Sequence, residues 1–152
     1  MIEEWKLAYA AGLIDGEGCI SINQPHNRGF FSLNVEVTMS DEEPIKFLFD
    51  TFGGYFQVKI TRTVNNRVMY RWGLQSEKAQ KFLKLIQPFI IGKVMQVGVA
   101  LDFPVGSKDG IQLYGNGRKI PQNIIDLRFD CWEMMKELKA PPTNTDLVKV
   151  EG

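Results

Sequence analysis

Glu17 is the residue whose position most invites chemistry. It stands between Gly16 and Gly18, after the run Ala10-Ala11-Gly12-Leu13-Ile14-Asp15 and before Cys19. Flanked by glycines, it has no packing role, and its carboxylate is displayed at the end of a rigid element. Glycines at 16 and 18 permit a tight helix-to-strand turn that residues with a Cβ would strain. A second group of capable side chains is Gln57, Lys59, Arg67 and Arg71, which alternate with apolar neighbours. Long hydrogen-bonding side chains of these types read base edges and phosphates in a groove. A dinucleotide site is excluded, because its G-x-G-x-x-G lies between a strand and the helix it opens. Here the glycines follow a helix and precede a strand. The plain alternatives are a capped structural helix with a solvated acid, and strands that are merely amphipathic.

The elements that must position these residues follow from hydrophobic periodicity. Residues Glu3 to Asp15 read as a helix with Leu7, Ala11 and Ile14 on one face, and Ala8 and Gly12 forming a smooth stripe. Cys19 to Asn23 alternates as a strand. Pro25 to Gly29 is turn chemistry, and Phe31 to Thr38 is a second alternating strand. Asp41 caps a helix running to Thr51, with Pro44 in its first turn and Gly53-Gly54 as its stop. A second hairpin spans residues 56–61 and 67–74, turning at Asn65-Asn66. Ser76-Glu77 opens a further helix that ends near Gln87-Pro88, and Val94 to Asp102 reads as helical. Residues 103–117 read as a long glycine-rich loop, Pro121 to Leu138 as a last helix, and 140–152 as a loose tail. The expected architecture is α+β. Four antiparallel strands present one apolar face to helices and one polar face to water.

At 152 residues the chain can bury one good core. We expect one domain over 1–139, with a core of about 3–101, a helical extension at 120–139 and the tail beyond. The formal net charge is zero, with eighteen basic and eighteen acidic residues, but the distribution is uneven. Between Thr51 and Leu101 lie eight Lys or Arg and one acid, Glu77, so that half is strongly positive, as a phosphate-facing surface requires. Chance clustering compensated in three dimensions is the alternative. No apolar run is long enough to span a membrane. The acidic start is unlike a targeting signal, and Cys19 and Cys131 have no framework or zinc spacing. A reducing compartment is expected: cytoplasm in a prokaryote, or an organellar matrix, and not secretion.

The nine residues from Ala10 to Gly18, A-A-G-L-I-D-G-E-G, closely resemble the LAGLIDADG motif of homing endonucleases, keeping an acid at both acidic places. The element order also matches that family's αββαββα core, over about residues 3–101. The resemblance implies a homodimeric, site-specific double-stranded DNA endonuclease. It would cut one phosphodiester per strand with magnesium, or manganese in its place, and would be encoded by a mobile intron or similar element. Its target would be long and pseudopalindromic. By the same resemblance Glu17 binds the divalent metal, with the Gly16 carbonyl as a second ligand, and Asp15 is structural. Glu is one methylene longer than the Asp of many members, and still a hard oxygen ligand.

Lys93 follows Gln87-Pro88-Phe89-Ile90-Ile91-Gly92, which resembles the family segment carrying a basic residue near the scissile phosphate. It is the second catalytic candidate, against a solvated lysine at a helix start. The motif occurs once, which implies pairing of two motif helices through Ala8, Ala11, Gly12 and Asp15. The polar sheet face implies DNA contacts from Ser21, Asn23, Ser32, Asn34, Glu36, Gln57, Lys59, Thr61, Arg67, Met69 and Arg71. The polar residue that some members carry at the end of the second strand falls on Met39; Thr38 or Ser40 are possible substitutes. His26, in a turn, is read as surface or backbone-contacting. Trp72 and Tyr70 are read as core rather than base-stacking, and Arg118-Lys119 as a phosphate contact or simply solvated. Two other functions of the same fold stay open: an RNA-binding maturase acting on intron RNA, and a DNA-binding regulator that does not cut.

Overall fold

A computed structural model describes residues 1–24, 31–60, 67–108, 111–114 and 119–140. Helix α1 (Glu4–Glu17) leads directly into strand β1 (Gly18–Asn23), which pairs with β2 (Ser32–Met39). After α2 (Glu42–Phe52) come β3 (Tyr55–Ile60) and β4 (Val68–Gln75), then α3 (Ser76–Ile86). A 3-10 turn over Gln87–Phe89 precedes α4 (Val94–Asp102). A two-residue ribbon pairs Ser107–Lys108 with Ile111–Gln112, where a loop was expected, and α5 (Gln122–Lys139) follows. The four long strands are antiparallel in the order β1-β2-β4-β3. Among the described residues no helix is long and apolar enough to cross a membrane.

The alternation in the sequence decides which face is covered. Ile20 and Ile22 of β1, Leu33, Val35 and Val37 of β2, and Trp72 and Leu74 of β4 are all buried. They meet Ala11 and Ile14 of α1, Ile45 and Leu48 of α2, and Ala79, Phe82, Leu83 and Ile86 of α3 in one cluster. Phe82 stacks edge-on against both Phe52 and Trp72, an arrangement that aromatic quadrupoles favour. Trp72 is fully buried, and its Nε1 donates to the Gly53 carbonyl at 2.6 Å, so it serves the core.

The helical layer does not cover the whole sheet. Val58 and Ile60 of β3 and Val68 of β4 are exposed, although they lie on the apolar side. The far end of the β3–β4 hairpin therefore extends past the helices, contrary to the expectation of a face packed throughout. Met39 belongs to the other phase of β2: it pairs with Tyr70 and packs against the core, away from the polar face. Its place opposite the polar row is taken by Thr38, which pairs with Arg71.

Two local devices set the geometry of the ends. Asp41 Oδ1 accepts from the backbone N–H of Glu43 at 3.3 Å and starts α2. Gly53 and Gly54 have φ of 73° and 96°, a conformation open to glycine, and they end α2 and turn the chain into β3. At the C-terminal side, Gln80 of α3 donates to the carbonyls of Ala100, Leu101 and Phe103, closing the end of α4. Arg128 of α5 is buried, donates from Nε to the Pro104 carbonyl at 2.9 Å, and lies against the rings of Phe103 and Tyr114. Burial lowers its pKa, which Tyr114 counteracts. These contacts fasten α5 beside α4 and β1.

Candidate functional site

The α1–β1 junction is more tightly built than a flexible glycine turn. The helix continues two residues beyond the expected end, so Glu17 is its last residue and its side chain is exposed. Gly18 has φ −82° and ψ 156°, ordinary extended backbone. It must be glycine for a different reason: a Cβ there would lie 2.6 Å from Ile14 Cα and 2.8 Å from Ile14 O. At Gly16 an added Cβ would meet nothing within 4 Å, so this glycine is not required by its own chain. The expectation that both glycines relieve conformational strain is therefore corrected: one permits close approach, and the other leaves open surface.

Asp15 and Lys93 lock this junction from opposite directions. The Asp15 carboxylate accepts from the backbone N–H groups of Ile91 (2.8 Å), Gly92 (3.2 Å) and Lys93 (3.0 Å). Burial alone would raise its pKa, but those three donors and the Lys93 charge outweigh it and hold the carboxyl below its ordinary range. The Lys93 ammonium in return donates to the carbonyls of Ile14 (2.7 Å), Asp15 (3.2 Å) and Gly18 (2.7 Å). An ammonium has three N–H donors, so all are engaged. Desolvation pulls the Lys93 pKa down, against the attraction of Asp15, Cys19 and Glu17, and Lys139 pulls it further down. Lys93 is thus half-buried as a cap on the negative end of α1, neither a solvated helix-start lysine nor an ammonium free to meet a phosphate.

The carbonyl of Gly16, the residue before the exposed Glu17, is not among the three that Lys93 engages. This carbonyl and the Glu17 carboxylate, at the negative end of a helix dipole, suit a hard cation. Among the described residues no three His, Cys, Asp or Glu side chains cluster as a metal cage.

Sequence reasoning missed Lys139. It sits at the end of α5, with Nζ 3.5 Å from Cys19 Sγ, and its charge is felt at Lys93. A second cation thereby stands beside the turn that carries Glu17. No local signal marks it, because 120 residues separate it from Cys19.

The polar face runs from this junction across the sheet. Register places Ser21, Asn34 and Gln75 in one row, Cys19, Glu36, Gly73 and Tyr55 in the next, and Thr38, Arg71 and Gln57 in a third. Asn23 pairs with Ser32 at one end, and Lys59 with Met69 at the other. Gln57, Lys59 and Arg67 are exposed, and Ser21, Ser32 and Met69 are partly so. Asn34 departs from the expected pattern: it is 3% exposed, and its amide donates to the carbonyl and hydroxyl of Ser32, each at 3.3 Å. Glu36 and Arg71 form an ion pair with 3.4 Å between Oε2 and Nε. Thr61, His26 and Arg118 lie outside the described residues; Lys119 is exposed.

The positive half of the sequence divides in space. Lys59 and Arg71 are on the polar face and exposed Arg67 precedes β4, but Lys78, Lys81 and Lys84 lie on the outer side of α3. That helix buries Ala79, Phe82, Leu83 and Ile86 against the other side of the sheet. Lys81 also pairs with Glu77 at 3.2 Å. The charge excess is therefore not one continuous phosphate-facing surface.

The expected dimer seam is also redistributed. Ala11 is fully buried within the chain, and Asp15 is engaged by the α3–α4 connection. Ala8, Gly12 and Gly16 remain exposed at intervals of four residues, flanked by exposed Trp5 and Tyr9. An added Cβ at Gly12 would meet nothing within 4 Å, so the stripe is open.

No protein-family model matches the sequence, and no curated protein matches it. Solved structures do. The archaeal intron-encoded homing endonuclease I-Vdi141I, complexed with DNA, is 21% identical with a TM-score of 0.61, over 97% of this chain and 92% of that one. The homing endonuclease I-CvuI, in complex with its target in the presence of calcium, is 17% identical with a TM-score of 0.53, over 91% and 97%. The I-SmaMI LAGLIDADG homing endonuclease bound to cleaved DNA is 17% identical with a TM-score of 0.51; the match covers 91% of this chain and 44% of the larger protein. At these identities the likeness is one of architecture, and it extends through α5 as well as the core: this chain has the LAGLIDADG homing-endonuclease fold.

Proposed function

We propose that this protein is a homodimeric, magnesium-dependent, site-specific endonuclease of double-stranded DNA, encoded by an intron and hydrolysing one phosphodiester in each strand. The observation that carries this reading is Glu17, an exposed carboxylate fixed at the C-terminus of α1 beside the Gly16 carbonyl. The fold is shared with proteins named as homing endonucleases and complexed with DNA, one of them described as intron-encoded.

The donor set suits magnesium. Glu17 and the Gly16 carbonyl would supply hard oxygens, the ligand type magnesium prefers. Manganese, also oxygen-seeking, would substitute. When bound, the metal supplies an activated water and stabilises charge on the leaving oxygen. The chain's own residues do the rest. Asp15 and Lys93 hold the turn rigid, so the Glu17 carboxylate is placed to hold the metal without reorganising. Lys139 adds positive charge beside that turn. The polar sheet face binds a groove and sets which phosphate arrives there.

One chain offers one such carboxylate, and two strands must be cut. Pairing two α1 helices through Ala8, Gly12 and Gly16 supplies the second. Small residues four apart let helix backbones approach closely, and the apolar flanks Trp5 and Tyr9 gain burial. A twofold dimer reads two half-sites, which makes the target pseudopalindromic.

The test begins with a random double-stranded DNA library, incubated with magnesium, from which cleaved sites are selected. On the selected site, Glu17→Gln should bind as tightly as the wild type and fail to cut, because an amide is a poor magnesium ligand. Magnesium-dependent cleavage by the purified variant would remove Glu17 from the chemistry and this reading with it.

A further inference from the structure

Near the middle of the polar face, three residues from three strands form a unit that no single strand could build. Glu36 of β2 and Tyr55 of β3 both pair with Gly73 of β4, so they lie in one row with a residue lacking a side chain between them. The Tyr55 ring lies across that gap. A Cβ on Gly73 would meet the phenol oxygen and two ring carbons, so the crossing exists because position 73 is glycine. The crossing carries the phenol from β3 over Gly73 toward Glu36 on β2. Burial, and then the charge of Glu36, push the phenol pKa up, against an opposing effect from Arg71.

Glu36 also faces Arg71, one row along, with Oε2 3.4 Å from Nε. That Nε is buried and makes no hydrogen bond in the free protein, so the pair is close without being aligned. Free buried donors are uncommon and call for a reason. The guanidinium has four further N–H donors on its two Nη atoms. With the Nε edge turned to Glu36, the end of the planar guanidinium still carries a parallel pair of donors, one N–H from each Nη. The unit presents paired donors beside a fixed acceptor, and its two charges cancel.

We propose that Glu36 and Arg71 together read one G·C pair in each half-site, and that Tyr55, passing over Gly73, is the positioning residue that fixes their orientation. A parallel pair of guanidinium donors matches guanine O6 and N7, and a carboxylate accepts from cytosine N4. The internal neutrality matters as much as the donors. An unpaired arginine would attract any phosphate, whereas a paired one gains little from backbone and more from a matching base edge. The assignment rests on the endonuclease reading above.

Tyr55→Phe tests it, since it removes one hydroxyl and keeps the ring. Wild type and variant are each used to select bound sequences from a randomised double-stranded DNA library, and affinity is measured as a function of salt. The expected result is a loss of about three- to tenfold in preference for one G·C pair per half-site. Preferences elsewhere and the slope against salt should stay unchanged. Glu36→Gln, which keeps size and removes the charge, should relax the same base pair. An unchanged profile in both variants overturns the assignment alone. So does an even loss across all sequences with a changed salt slope, since that marks phosphate contact. Failure of the wild-type chain to select any sequence would instead overturn the endonuclease reading, and this assignment would fall with it.

Discussion

Replacing Gly18 with alanine should damage the protein far more than the same change two residues earlier. The new Cβ would stand 2.6 Å from Ile14 Cα and 2.8 Å from Ile14 O. Carbon atoms normally approach to about 3.5–4.0 Å, so β1 must retreat from α1 by roughly 1 Å. Both neighbours are backbone, so no rotamer change can absorb the overlap. Overpacking of this kind costs about 1–3 kcal/mol. The retreat also stretches the 2.7 Å bond from the Lys93 ammonium to the Gly18 carbonyl, a charged contact of about 1.5–3 kcal/mol that is only partly lost. A total near 3 kcal/mol should lower Tm by roughly 6–12 °C for a chain of this size. At Gly16 nothing lies within 4 Å, and alanine gains up to about 1 kcal/mol in helix propensity. Gly16→Ala should therefore melt at or above the wild-type temperature at concentrations where the chain is monomeric. Thermal melts followed by circular dichroism distinguish the two. Equal melting temperatures for the two variants would show that the junction is not held by this contact.

Two further outcomes follow from the same junction and from the exposed stripe. The Asp15 carboxyl is held below its ordinary 3.8, so its contribution is present at neutral pH and is lost as pH falls below that value through the folded one. Asp15→Asn should be less stable than wild type by about 2–3 kcal/mol near pH 7, and urea titrations should show the gap closing toward pH 2; a gap independent of pH would refute the linkage. Gly12→Leu should leave the monomer fold intact, because the position is open. It should abolish dimers in light scattering and reduce double-strand cutting to at most nicking; an active dimeric variant would place the seam elsewhere.

Much of the architecture was legible in the sequence, because periodicity is a local property. The alternation of Leu33, Val35 and Val37 with polar residues fixes one buried face in β2, and the same pattern in β4 buries Trp72 and Leu74. Asp41 as a cap and Gly53-Gly54 as a stop also act over a few residues. The motif around Glu17 could likewise be read directly, down to an exposed acid at a helix end.

What the sequence left undetermined were the contacts between residues far apart along it. Periodicity assigned Asn34 to the polar face, but not its near-complete burial against Ser32. It put Ala11 in both the core face and the seam, and packing chose the core. A lysine at a helix start is solvated by default; only the docking of the α3–α4 connection under α1 turned Lys93 onto three carbonyls. Lys139 reaches Cys19 because Arg128 and its aromatic neighbours help to seat α5. Tyr55 reaches Glu36 because an intervening strand offers a glycine in register. Local chemistry along the chain determined that there would be a displayed carboxylate and a hydrogen-bonding sheet face. Which side chains are free to act, and which are spent holding others in place, depends on distances between elements that only close packing sets.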